Sequence, residues 1–390
     1  MQVITITDIR THLVNAKMRN WLFIRVETSE PGLYGLGEAT LEFQSLAVAA
    51  AVEELKPLLI GKEARNITQH WEAMYRYPFF KGGAVTMSAI SGIDQALYDI
   101  SAKALNVPLW QILGGAVRDR VRMYDHVGGG DSSAVYGDIT SGLAERIQES
   151  KEAGFSAIKI LAVPQTRPVD GILPIKQAEA TMAIAREAAG DDVDVMIDFH
   201  GRTTAAMAIR YAKVFEPYYP LFIEEVVGPE IPASEMARVA HSTSIPVAAG
   251  ERLFHRSEFL NLLQVGAISI AQPDVCHAGG VTELLRIGAL CGAFGVSLAP
   301  HNPLGPIATM VNIHLGIAIP NFIIQEVMRG DVPWRDEVVQ GVAPIVGGYV
   351  ERPTSPGIGV ELNEKAVQAH PYQASEAVQW THADGGLAEW

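Results

Sequence analysis

With 390 residues, 48% apolar and 19% charged side chains, the chain has length for more than one ordinary domain and too much core-forming material for a disordered protein. A net charge of −14 disfavours nucleic acid or an anionic membrane as partner, since both need a basic surface, but leaves an anionic small molecule open because a bound cation reverses the local field. Cys276 and Cys291 form no CxxC pair, the opening MQVITITDIR lacks a basic-then-apolar leader, and no run of about 18 apolar residues appears, so the expectation is a cytoplasmic protein without disulfides or a membrane span.

ITITDIRTHLV, NWLFIRVET and LYGLGEAT alternate apolar and polar positions or are rich in β-branched residues, and predict three strands. LAVAAAVEELKPLLIG, ITQHWEAMYRY and MSAISGIDQALYDISAKAL repeat apolar residues every three and four positions and predict three helices. Strands followed by helices describe an α+β domain over residues 1–120. VPLWQILGG then leads into VRMYDHVGG, the first expected strand of a different, periodic region, and FSAIKIL (155–161) is the second.

Six further apolar runs each end on an acid or a histidine: Asp198 in VMIDFHGR, Glu224 in LFIEEV, Glu251 in IPVAAGER, Asp274 in ISIAQPD, His301 in VSLAPH and Glu326 in FIIQEV. The intervals are 23 to 27 residues, which one strand, one helix and two short loops fill. AAMAIRYAKVFEPY, SEFLNLLQVG and VTELLRIGALCGAFG supply amphipathic helices between them. This period predicts a β/α barrel over residues 121–340, with the charged strand ends gathered on the face where such barrels carry their active sites. After Glu326 the period stops, and the tail, residues 341–390, is expected to add a short strand or two and to pack on the first domain.

Asp198, Glu224 and Glu251 come from three consecutive strands, with no Cys or His among them and no basic partner beside them in the chain. Hard oxygen ligands of this kind suit Mg²⁺. Glu225 alternates to the opposite face from Glu224, and spacing alone leaves open which of the two faces the barrel mouth. His200, two residues after Asp198, shares its face if the strand continues. His301 lies across the barrel, and Asp274, one strand earlier, is placed to bond the second imidazole nitrogen; Glu326 closes the ring. Imidazoles exchange protons near neutrality, so a cation flanked by two of them suits removal of a proton next to a carboxylate and expulsion of a β-hydroxyl. His126 and His277 read as structural histidines. The glycine-rich GLYGLGEAT and VGGGD lack the strand-to-helix setting of a phosphate loop.

DFHGR (198–202), FIEE (222–225), AAGER (248–252), QPD (272–274), HAGG (277–280) and APHNPLGPIA (299–308), with MSAISGIDQALYDI and VPLWQILGG, resemble the enolase superfamily, mandelate racemase subgroup, and within it the D-galactonate dehydratase family of acid-sugar dehydratases. The resemblance implies an α/β fold: a (β/α)7β modified TIM barrel with an N-terminal α+β capping domain completed by the C-terminal tail. It implies Mg²⁺ on Asp198, Glu224 and Glu251, His301 paired with Asp274 as the base at C2, His200 as the acid for the C3 hydroxyl, and Glu326 as a hydrogen-bond partner of the enediolate. The implied activity is a hydro-lyase giving a 2-keto-3-deoxy acid from a sugar acid, D-galactonate first. An epimerase or cycloisomerase, or a low-turnover carboxylate-binding regulator, is the alternative. The expected partner is a small-molecule carboxylate, with no nucleic acid or membrane, in a homo-oligomer.

The chain also departs from the pattern. Lys159-Ile160-Leu161 stands where many relatives carry Lys-x-Lys with the later Lys as a base, which argues against a two-base racemase. Val226 follows the paired acids where Pro is usual, and His126 stands where an aromatic is usual. VNAKMRN and VPQTRPVDGILP are unlike the family and are expected to border the pocket, and Trp21, Phe43, Phe80 and Lys81 are candidates for facing the substrate.

Overall fold

The computed structural model describes residues 3–127, 140–375 and 379–389; the VGGGD stretch lies outside these from Gly128 onward. Strands β1 (Ile6–Ala16), β2 (Arg19–Thr28) and β3 (Tyr34–Glu38) form an antiparallel meander. Helices α1 (Ser45–Leu55), α2 (Ile67–Arg76) and α3 (Ala84–Ala104) follow, then the short α4 (Leu109–Ile112). Gly35 and Gly37 in β3 lie directly against α3, where a Cβ would strike the carbonyls of Ala96 and Gly92. These two glycines of GLYGLGEAT therefore serve close helix-on-strand packing. α3 is buried almost throughout from Met87 to Ala102, sandwiched between the meander and the rest of the molecule.

Eight parallel strands follow: β4 (Arg120–His126), β5 (Ala157–Ile160), β6 (Asp194–Asp198), β7 (Ile223–Glu224), β8 (Val247–Ala249), β9 (Ile270–Ala271), β10 (Ser297–Leu298) and β11 (Gln325–Val327). Each pairs with the next through β10, and β11 pairs with β4. Leu298 exchanges hydrogen bonds with Asn321 and Ile323 at 2.8 Å, which joins β10 to the approach of β11 and closes the ring. The intervals carry α5 (Leu143–Glu152), α6 (Ile172–Ala189), α7 (Ala205–Phe215), α8 (Ala233–Ala240), α9 (Arg256–Gln264), α10 (Gly280–Ala293) and α11 (Pro306–Ala318). β11 is followed only by the four-residue α12 (Arg335–Val338), so the ring has the (β/α)7β form.

The barrel interior is one layer of buried side chains, Tyr124, Ala157, Met196, Phe222, Ala248, Ile270, Ala299 and Ile324, one from each strand or its immediate flank. The tail carries β12 (Val339–Gln340), β13 (Tyr349–Glu351), β14 (Glu361–Leu362) and α13 (Glu364–Ala369). It packs on the capping domain, where Asn15 N–H bonds His370 O at 2.9 Å and Asn20 and Gln373 exchange bonds. Its β13 also pairs antiparallel with β4, a barrel contact beyond the sequence expectation.

Candidate active site

Residues two positions beyond the inward layer also face inward, because side chains alternate along a strand. Beyond Tyr124, Ala157, Met196, Phe222, Ala299 and Ile324 this gives His126, Lys159, Asp198, Glu224, His301 and Glu326, all at the mouth. β8 breaks the pattern: Gly250, at φ +133°, packs so tightly that a Cβ would lie 2.5 Å from the Phe259 ring, and the chain bends to present Glu251 instead. The mouth encloses a cavity of about 240 Å³. Barrel residues His126, Lys159, Asp198, His200, Glu251, Arg252, His277 and His301 line it, and the capping domain adds Met18, Arg19, Leu41, Glu42 and Ala84.

One carboxylate oxygen each from Asp198, Glu224 and Glu251 lies within 4.8 Å of the others. Glu224 Oε2 and Glu251 Oε2 are buried without a hydrogen-bond donor. Burial pushes the Glu224 carboxyl well above its ordinary range and Glu251 up to about 7. Burial acts on Asp198 in the same direction, but His200 and Lys159 outweigh it and hold Asp198 low. Orphaned carboxylate oxygens converging from separate strands fit a hard divalent cation, whose charge would satisfy them. The expectation that these acids lack a basic partner is corrected: Lys159, fully buried, sits 2.8 Å from Glu224 Oε1, 2.7 Å from Glu326 Oε1 and 4.0 Å from Asp198 Oδ2.

On one side His301 Nδ1–H donates to Asp274 Oδ2 at 2.7 Å, while Asp274 Oδ1 accepts from Cys276 N–H at 2.6 Å. This bond fixes the tautomer and leaves Nε2, 3.6 Å from Glu251 Oε2, toward the carboxylates. Burial alone would lower the His301 pKa, but Glu251 and Asp274 raise it to about 10. His200 lines the same cavity from β6, four strands away in a ring of eight and so opposite His301. It reaches the cavity by a turn rather than by strand alternation. β6 stops at Asp198, His200 takes a left-handed backbone (φ 58°), and its N–H bonds Asp198 Oδ1 at 2.7 Å.

Glu326 Oε2 accepts from Asn302 N–H at 2.8 Å, and its Oε1 lies 3.3 Å from His126 Nδ1. Burial would raise Glu326, but Lys159 and His126 hold it well below the usual carboxylate range. Glu225 is the acid that turns away: it accepts from Gly250 N–H at 2.8 Å and pairs with Arg252 at 2.7 Å. Leu161, two residues beyond Lys159, is buried.

Several expectations about the pocket rim are overturned. Trp21 is fully buried beneath Arg335, Phe43 and Phe80 are 55% and 87% exposed, and none of these, nor Lys81, lines the cavity. VPQTRPVDGILP also stands off the cavity, its carbonyls of Val163 and Pro168 accepting from Arg202 and Thr204. VNAKMRN does reach it, through Met18 and Arg19. Arg19 pairs with Glu42 at 3.0 Å and bonds the carbonyl of Pro303. His277, read as structural, forms part of the wall beside Asp274.

The family model described as enolase C-terminal domain-like matches residues 142–366, and that of the mandelate racemase / muconate lactonizing enzyme N-terminal domain matches residues 3–114. The chain belongs to the enolase superfamily, in its mandelate racemase subgroup. It is an enzyme of that superfamily and is 41% identical over 379 residues to a D-galactonate dehydratase of Cronobacter sakazakii (strain ATCC BAA-894), covering 95% of this chain and 96% of the relative. A superfamily structure from Agrobacterium radiobacter with bound sodium and L-malate superposes with a TM-score of 0.89 at 30% identity, covering 98% and 99% of the two chains. An enolase from Pantoea ananatis with bound D-gluconate and magnesium superposes at 0.83 and 29% identity, covering 95% of each. Within this superfamily barrel, Lys159 and His126 are the mouth residues that reading strand ends alone passes over; counting two positions up from the inward layer finds both.

Proposed function

We propose that the chain is a Mg²⁺-dependent dehydratase of a sugar acid, with D-galactonate the first substrate to test. The observation that carries this reading is the pairing, across one cavity, of the His301–Asp274 dyad with His200, above three converging carboxylates. The similarity to a D-galactonate dehydratase along nearly the whole chain supports the substrate class. In this reading residues 1–120 form the capping domain, 121–340 the barrel and 341–390 the tail that binds them together.

Asp198, Glu224 and Glu251 would hold Mg²⁺, which when bound would supply positive charge beside the substrate's carboxylate oxygens. His301 Nε2, with Nδ1 committed to Asp274, takes the C2 proton when the ring is neutral, a form that a cation offsetting the charge of Glu251 would favour at ordinary pH. His200, on the opposite face, gives a proton to the C3 hydroxyl, which leaves as water. The enol that remains tautomerises to the 2-keto-3-deoxy acid, so atoms and charge balance without a redox partner. Glu326, oriented by Asn302, takes the hydrogen-bonding role beside the reacting oxygens. Leu161, just past the end of β5, provides no second base, which favours elimination over two-base racemisation.

A library of aldonic and aldaric acids, incubated with the purified protein and Mg²⁺ and read for 2-keto acid, tests the reading. Turnover of one acid or a narrow stereochemical set is expected, and the same library in D₂O registers any C2 exchange. Silence in both assays overturns the proposal.

A further inference from the structure

Helix α3 of the capping domain turns one polar stripe, Ser88, Ser91, Asp94 and Gln95, onto the segment that runs from Asp274 into α10. Gln95 Nε2–H donates to Val275 O at 2.9 Å, and Ser91 Oγ accepts from Gly279 N–H at 2.8 Å. Asp94 accepts from Thr282 N–H at 2.9 Å and from its hydroxyl at 2.6 Å. The approach is close enough that a Cβ on Gly280, at φ +71°, would stand 2.7 Å from Asp94 Oδ2. The first member of the stripe, Ser88 Oγ, lies 2.9 Å from His277 Nδ1. The other ring nitrogen, Nε2, is 3.7 Å from Asp274 Oδ2, the same oxygen that accepts from His301. A serine hydroxyl donating to Nδ1 leaves the proton on Nε2, facing the carboxylate. At 3.7 Å that contact is electrostatic rather than a hydrogen bond, and it acts on the carboxylate oxygen that must stay aligned with His301.

We propose that His277 is a positioning residue for the His301–Asp274 base, through which the docking of α3 fixes the orientation of the Asp274 carboxylate. The proposal rests on the reading of His301 as the C2 base. It explains a buried histidine that bridges the cap to the dyad within the cavity wall.

The test compares full-length wild type with His277→Leu, His277→Gln and Ser88→Ala, using two readouts. One is C2 deuterium exchange, with kcat and KM, on the acid the wild type turns over. The other is the downfield proton NMR signal of the His301 Nδ1–H bond, recorded without substrate. His277→Leu is expected to lower the exchange kcat about tenfold with KM within about twofold, and to shift or broaden the downfield signal. His277→Gln keeps an N–H donor near the position of Nε2 and should recover most of the rate, with Ser88→Ala falling between. The proposal is overturned if folded His277→Leu keeps the wild-type rate and signal, or if the Leu and Gln variants lose rate alike, in step with their melting temperatures. If His277→Leu fails to fold, Ser88→Ala decides by the same two readouts. A wild type that exchanges no C2 hydrogen sinks the dehydratase reading, while the NMR signal still decides whether His277 acts on the pair.

Discussion

Lys159 holds its ammonium between Glu224 and Glu326 with almost no exposure, so two carboxylates at the barrel mouth depend on one side chain. Replacing it by Met leaves two buried carboxylates without that cation. The expected loss of stability is about 3 kcal/mol, read by urea denaturation, with part of it restored by added Mg²⁺. An unchanged denaturation midpoint would remove Lys159 from this role. The two histidines divide differently. His301→Asn should abolish C2 exchange in D₂O, because no other imidazole is held by Asp274 Oδ2 at hydrogen-bond distance among the described residues. His200→Asn should stop water loss while exchange at C2 continues; normal dehydration by that variant would reassign the acid. The cluster of Asp198, Glu224 and Glu251 and the His301–Asp274 pair were legible in the sequence because a charge ending an apolar run recurs at a fixed period, whereas His200 was placed by strand alternation and arrives by a turn instead. Lys159 and His126 were less so because each is followed by another apolar residue and ends no run.

At the scale of elements, His314 on α11 shows how the barrel holds what surrounds it. Its Nδ1 accepts from Trp110 N–H at 3.2 Å and its Nε2–H donates to Ile358 O at 3.1 Å, tying α11 to α4 and the tail. The bond from Trp110 needs the neutral ring, since Nδ1 accepts only when unprotonated, and burial lowers the His314 pKa from 6.5 to about 4. The unfolded chain therefore binds the proton first as pH falls. The stability that this residue contributes is fully present above pH 6.5 and declines as pH drops toward 4, by about 3 kcal/mol in all. His314→Gln should flatten that part of the stability–pH curve between pH 7 and 4.5. Equal slopes in the two proteins would show that other groups govern it. Element type was readable wherever periodicity ran long, as in α3. Exact strand ends were not: β8, β9 and β10 stop two to three residues before Glu251, Asp274 and His301, and β7 to β10 keep only two or three laddered residues each. Bends such as the one at Gly250 set where a side chain arrives, and these depend on neighbours remote in sequence such as Phe259.

Across the whole molecule, the capping domain and barrel interlock at the mouth. Glu38 at the end of β3 accepts from Gly305 N–H at 2.7 Å and Ala308 N–H at 2.9 Å, holding the N-terminus of α11. Arg19 and Glu42 bring an opposed pair of charges to the rim beside Pro303. No helix among the described residues is long and apolar enough to cross a membrane. The architecture was legible from a change of period near residue 120 and its end after Glu326. The rim was not, since packing between remote segments decides which side chains face inward; the aromatic candidates Trp21 and Phe80 went respectively to the core and to solvent. The central claim joins that architecture to one chemistry, and a single experiment addresses it: D-galactonate in D₂O with the protein, followed by proton NMR with Mg²⁺ and again after its removal. The account predicts loss of the C2 proton signal with appearance of a 2-keto-3-deoxy acid, only when Mg²⁺ is present. Conversion that is unaffected by Mg²⁺ removal, or C2 exchange that never proceeds to water loss on this or any other sugar acid, would contradict it.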